Sequence, residues 1–205
     1  EPALVPRFLT RIREQLLPWT DWKQLLPTRE PLPIYGYIGN NYERLKEFKE
    51  YYFKPSSLLR KKGIQTSMLG NWLQSSPERE TPEYLVAETN IAFLPRCNFN
   101  AVMRILNTFI CTTHVSKPAY YANKLIPPRY FEALSVNCPA LTPLSGFNLG
   151  SISQIKDANE VYLGVLDIKS MNINRRMQLC DMQREVLKST NLFDVKYAIQ
   201  FLESL

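Results

Sequence analysis

Residues 98–110 read Asn-Phe-Asn-Ala-Val-Met-Arg-Ile-Leu-Asn-Thr-Phe-Ile. Val102, Met103, Leu106, Phe109 and Ile110 recur at three- and four-residue spacing, which on a 3.6-residue turn makes one apolar stripe. Asn98 stands just ahead, with a side-chain oxygen able to cap the first turn. Ile105 widens the stripe, so this helix is expected at the centre of a core. Read outward from it, the chain is expected to be mainly α, a multi-helix domain with Pro-rich connectors and room for one small β-sheet.

Downstream, Ser116 and Pro118 open a helix through Tyr121 and Leu125 that Pro127 and Pro128 end. Residues 137–150 hold Asn137, Pro139, Pro143, Gly146 and Gly150, a loop signature. Val161 to Ile168 is β-like in composition. Two helices, over about 172–189 and 192–204, close the chain. Upstream, Pro6 begins a helix that Pro18 stops. Ile34 to Ile38 alternates like a short strand. Asn40 or Asn41 can cap a helix to Phe53, and a further helix is expected between Ser56 and Gln74, weakened by Gly63 and Gly70. The polar, Pro-bounded stretch 75–83 marks a junction between an N-terminal helical subdomain, 1–75, and a C-terminal one, 76–205. Tyr84 to Phe93 fits strand or helix.

The 205 residues carry 25 cations and 19 carboxylates, for a net charge of +6. The surplus is uneven: residues 96–131 hold five cations and no carboxylate. Attraction for an acidic partner is expected there. The four cysteines, Cys97, Cys111, Cys138 and Cys180, form no CxxC pair and sit among apolar neighbours. They read as free thiols of an intracellular, reducing compartment. No apolar run is long enough for a membrane span. Glu1 in place of an initiator Met reads as a fragment or a processed form.

Catalytic equipment is sparse. His114 is the single histidine, three residues from Cys111, and no carboxylate lies near in sequence to orient it. It reads as a capping or surface residue. No GxGxxG or GxxxxGK[ST] occurs, which argues against a nucleotide loop. Scattered ligand types argue against a metal or an organic cofactor. Over residues 108–122 the chain resembles the C-terminal tail of Argonaute and Piwi domains, with a gap needed before Tyr120 and no slicer carboxylates ahead of it, so no residue role follows from it.

What remains is a set of clusters that join cations to aromatic rings. Lys117, Tyr120, Tyr121 and Lys124 fall on one face of a helix, and Arg129 and Tyr130 follow the stiff Pro127-Pro128. These six residues are the expected partner-binding surface. Tyr51, Tyr52 and Lys54, with Arg60, Lys61 and Lys62, form a secondary basic and aromatic set. Such surfaces anchor protein interfaces or stack on unpaired bases. The sequence therefore reads as a non-enzymatic structural or adaptor subunit that binds other protein subunits, with an RNA-contacting protein as the alternative.

Overall fold

In the computed structural model the described residues are 29–41, 43–73, 90–115, 128–143 and 153–189. Expectations for residues 1–28, 75–83, 116–127 and 192–204 lie outside them.

The first strand forms where alternation foretold it. In β1, Ile34–Ile38, Tyr35 and Tyr37 point to one face and Ile34 and Ile38 to the other, and each face joins a different core cluster. The helix expected to Phe53 is a composite: α1, Leu45–Phe48, runs through a π-helical turn, Lys49–Phe53, into α2, Lys54–Lys61. Gly63, at φ +70, then stops the chain from continuing as the predicted helix to Gln74. Instead Gln65–Leu69 becomes β2. β3 is Ile91–Leu94.

Asn98 caps α3, Phe99–Leu106, by accepting from the Ala101 amide at 2.9 Å. Val102, Met103 and Leu106 are buried, as their spacing required. Thr112–Thr113 forms β4. It is followed by α4, Pro128–Ser135, β5, Ala140–Pro143, and β6, Gln154–Ile155. α5, Ala158–Ser170, and α6, Ile173–Ser189, complete the described fold.

Every strand pairing is parallel. β1, β2 and β3 form one three-stranded sheet, and β4, β5 and β6 another. The two meet edge to edge. The Ile110 amide donates to the Ile34 carbonyl at 2.8 Å, and Tyr35 bridges Cys111 in parallel. Across the molecule the strands therefore run in the order 3-2-1-4-5-6. Helices cover both faces. Phe48, Tyr52, Leu59, Val161 and Val165 pack with Tyr35 and Tyr37 on one side. Val102, Met103, Leu106, Phe109 and Ala133 pack with Ile38 and Leu69 on the other. Gly36 lets the second layer close, because a Cβ there would lie 2.4 Å from the Phe109 ring.

The mainly α expectation is thus corrected to a mixed α/β fold. The error has a physical source. Strands buried on both faces lose the period-two pattern, and Gln65-Thr66-Ser67-Met68-Leu69 shows none, although all but Gln65 are buried. β5 lies inside the stretch read as a loop. Conversely, Val161–Ile168 is helical. Asp157 caps it by accepting from the Asn159 and Glu160 amides, both at 2.9 Å, and its branched residues bury the α5 stripe Val161, Val165 and Ile168. β2 and β3, which flank the expected junction at 75–83, are neighbours in one sheet. No helix among the described residues is long and apolar enough to cross a membrane.

Candidate functional site

In an open parallel sheet the order 3-2-1-4-5-6 leaves a crevice where chain direction reverses, at the carboxyl ends of the first and fourth strands. Here that crevice lies between Gly39-Asn40-Asn41, leaving β1, and His114-Val115, leaving β4.

The exits of the first three strands are laced together. The Gly39 amide donates to Leu69 O at 2.9 Å, and the Gly70 amide to Leu94 O at 3.0 Å. Gly70 has φ +136, and a Cβ on it would lie 2.1 Å from the Gly39 carbonyl oxygen. Trp72 Nε1 donates to that same oxygen at 2.8 Å. Asn40 is the common partner. Its Oδ1 accepts from the Asn71 amide at 3.3 Å and from Arg96 Nε at 3.1 Å. Its carbonyl accepts from Arg44 Nη1. Arg44 follows Glu43, whose φ of 52 is unusual for a residue with a side chain. Two arginines from distant parts of the chain are therefore held on one asparagine. Beside them Gly70, Asn71, Leu73, Phe93, Leu94, Pro95 and Arg96 line a cavity of about 510 Å³.

Across the crevice His114 is buried, with its ring centroid 6.1 Å from Tyr37 and 5.0 Å from Tyr130. Burial pushes its pKa well below the usual histidine range, and the Arg44 and Arg129 charges push the same way. His114 is neutral near pH 7, and the expected surface or capping role is corrected to a buried one. The first turn of α4 supplies Arg129, which donates to the Glu132 carboxylate one turn on. Burial raises the Glu132 pKa, against the lowering pull of Arg129. Burial likewise raises Tyr37, while Arg44 and Arg129 oppose it. Arg44, Arg129 and Glu132 thus all act on the groups that floor the switch point.

The residues singled out from sequence distribute unevenly. Arg129 and Tyr130 are at the switch point, Arg129 half-buried and Tyr130 buried. Lys117, Tyr120, Tyr121 and Lys124 lie outside the described residues. Tyr51 and Tyr52 are core: Tyr52 stacks on Tyr35 with centroids 4.7 Å apart, and its hydroxyl accepts from the Thr113 amide at 2.8 Å. Lys54 is exposed and pairs with Glu50. Arg60, Lys61 and Lys62 are exposed at the far end of α2. Arg44, Arg96 and Glu132 were not singled out, and His114 was weighed only as a catalytic candidate and set aside. Arg44, Arg96 and His114 follow the ends of β1, β3 and β4, and Glu132 lies in the first turns of α4, positions that become legible once the strands are known.

No protein-family model and no curated protein matches the sequence. Solved structures do. T4 phage β-glucosyltransferase superposes with a TM-score of 0.63 at 16% identity, over 89% of this chain and 53% of that one. The same phage enzyme in complex with UDP and Mn²⁺ gives 0.65 at 16% identity, over 88% and 50%. The trehalose-6-phosphate synthase OtsA gives 0.61 at 10% identity, over 96% and 49%. The chain has a glycosyltransferase-type, Rossmann-like fold. It spans about half the length of these enzymes. At such identity the likeness is one of fold. The sequence-based expectations of a non-enzymatic adaptor, a structural scaffold or an RNA-contacting protein are corrected by this finding: they rested on a mainly α fold, and the solved structures that share the observed fold are those of sugar-transferring enzymes.

Proposed function

We propose that this chain is the nucleotide-sugar-binding half of a glycosyltransferase, and that it seats the donor's diphosphate at the switch point between β1 and β4. The observation that carries the reading is the convergence of Arg44, Arg96 and Arg129 on the carboxyl edge of a 3-2-1-4-5-6 sheet, the place where such sheets take ligands. Arginine is the residue best suited to phosphate oxygens, since its planar fork donates two parallel hydrogen bonds. The N-terminus of α4 adds backbone donors and a partial positive charge on the same side. The glycine loop missing from the sequence is replaced in this reading by side-chain cations. In this reading Glu132, held by Arg129, is the acceptor for a sugar hydroxyl. The cavity at the ends of β2 and β3, about 510 Å³, has the size of a small-ligand site and one apolar wall, Leu73, Phe93 and Leu94, for a base to lie against.

Structures sharing this fold carry UDP or UDP-glucose, which supports a UDP-sugar as the donor class. In transfer, the bond between the anomeric carbon and the diphosphate oxygen breaks and a bond to the acceptor forms. The departing diphosphate gains negative charge, and preorganised arginines would stabilise it at little reorganisation cost. The test is calorimetric titration of the chain with UDP and UDP-glucose. Saturable binding is expected. Arg44→Ala or Arg129→Ala should each weaken it about 10- to 100-fold, the worth of a charge-assisted hydrogen bond. No binding at millimolar nucleotide, or binding indifferent to both substitutions, overturns the reading.

A further inference from the structure

The opposite edge of the sheet carries a charge distribution that the nucleotide site does not use. Arg60, Lys61 and Lys62 end α2 there, all exposed, and Lys169 of the last turn of α5 donates to the Lys62 carbonyl at 3.0 Å. Arg29, just ahead of β1, donates to the Arg104 carbonyl at the end of α3 at 3.3 Å. Arg175 stands exposed in the first turn of α6. Against these seven exposed cations the described residues place only Glu30 and Asp167 at this edge. The carboxyl edge, by contrast, mixes its arginines with Glu43, Glu47, Glu132, Asp157 and Glu160. So strong an excess of one sign costs self-repulsion, and a merely solvated face has no need of it.

Two leucines stand among the cations. Leu58 is 43% exposed and lies three and four residues from Lys61 and Lys62, on the same helical face. Leu32 is 52% exposed beside Arg29. Among the described residues no large aromatic side chain is exposed at this edge, so the described part of the surface offers no ring to stack on bases. The described helices end on this surface rather than lie along it, so none of them is offered to a groove. Six strands at about 4.8 Å spacing make the edge roughly 25 Å wide. Cations spread over that width, with exposed leucines between them, suit a broad anionic sheet with an apolar layer beneath.

We propose that the amino edge of the sheet docks the protein on anionic phospholipid bilayers, with Leu32 and Leu58 entering the headgroup boundary and the Lys and Arg side chains meeting lipid phosphates. The inference is independent of the nucleotide reading, because the two surfaces lie at opposite ends of the strands.

The test is co-sedimentation of the whole chain with vesicles of phosphatidylcholine, alone or mixed with phosphatidylglycerol, with a short DNA duplex as the competing polyanion. Binding to the mixed vesicles and not to the neutral ones is expected. Lys61→Gln/Lys62→Gln/Arg175→Gln removes three exposed charges that hold no side-chain partner among the described residues, and should lower partitioning by about 100-fold. Leu32→Ser/Leu58→Ser should lower it with the charges intact. Unfolding midpoints and UDP titrations of both variants should match the parent, which separates failure of this surface from failure of the nucleotide site. Equal binding to both vesicle types, binding unchanged in the charge variant, or tighter binding to the duplex than to mixed vesicles at equal phosphate each overturns the proposal.

Discussion

Replacing Gly70 by alanine probes the geometry on which the carboxyl edge depends. At φ +136 an L-residue sits in a sparsely populated region, at a cost of about 1–3 kcal/mol. The new Cβ would also lie 2.1 Å from Gly39 O, where ordinary contact begins at 3.4 Å. The exits of β1 and β2 must therefore part by more than an ångström. That movement strains two hydrogen bonds, Gly39 N to Leu69 O at 2.9 Å and Trp72 Nε1 to Gly39 O at 2.8 Å, each worth about 1 kcal/mol. The total is about 3–5 kcal/mol. Gly63→Ala is the control. It has φ +70 but nothing within 4 Å of the added carbon, so only backbone strain of about 1–2 kcal/mol is expected. Urea unfolding followed by tryptophan fluorescence measures both. Gly70→Ala should be the less stable by about 2–3 kcal/mol. Equal midpoints would refute the close approach of the two loops.

Three further outcomes follow from named contacts. His114 is held neutral by burial, with a folded pKa well below the unfolded value of about 6.5, so its contribution to stability is present above that pH and is lost as pH falls. Unfolding free energy should fall by up to about 1.4 kcal/mol per pH unit below pH ~6.5, and His114→Gln should flatten this slope; a slope unchanged in the variant contradicts the burial. Asn40→Ala removes the acceptor that holds Asn71 and Arg96 and should weaken UDP binding about 10-fold, while Asn40→Asp, which keeps an acceptor oxygen, should restore most of it; equal affinities in calorimetry would exclude the positioning role. Arg176 is buried and donates to the Phe109 and Ile110 carbonyls, so Arg176→Leu strands both and should destabilise by about 3 kcal/mol in urea unfolding.

Local signals were legible in the sequence, and the layer that unites them was not. Asn98 and the Val102–Leu106 stripe announced α3, and the alternation of Ile34–Ile38 announced β1. Both arise within one element. The sheet as a whole is non-local. β4 and β6 are two residues each, too short to carry a period, and β2 hides its strand character because Thr66 and Ser67 are buried along with Met68 and Leu69. Without those strands the chain offered helices and at most one small sheet, and mainly α was the reading that remained. The site suffered the same loss. Clusters of cations and rings drew attention to Arg129 and Tyr130, which do reach the switch point. The same logic led to Tyr51 and Tyr52, whose rings are core because β1 presents Tyr35 and Tyr37 opposite them. Arg96 and Glu132 are scattered charges and Arg44 is one of many on a mixed-sign helix, and only the strand order 3-2-1-4-5-6 brings them to one edge.

A crystal structure of the chain grown with UDP decides whether the switch point between β1 and β4 is the donor site. The diphosphate is expected between the ends of β1 and β4, within hydrogen-bond reach of at least two of Arg44, Arg96 and Arg129, with the base toward Leu73 and Phe93. A nucleotide bound at the amino edge, or at the carboxyl edge without any of these arginines on its phosphates, would contradict it.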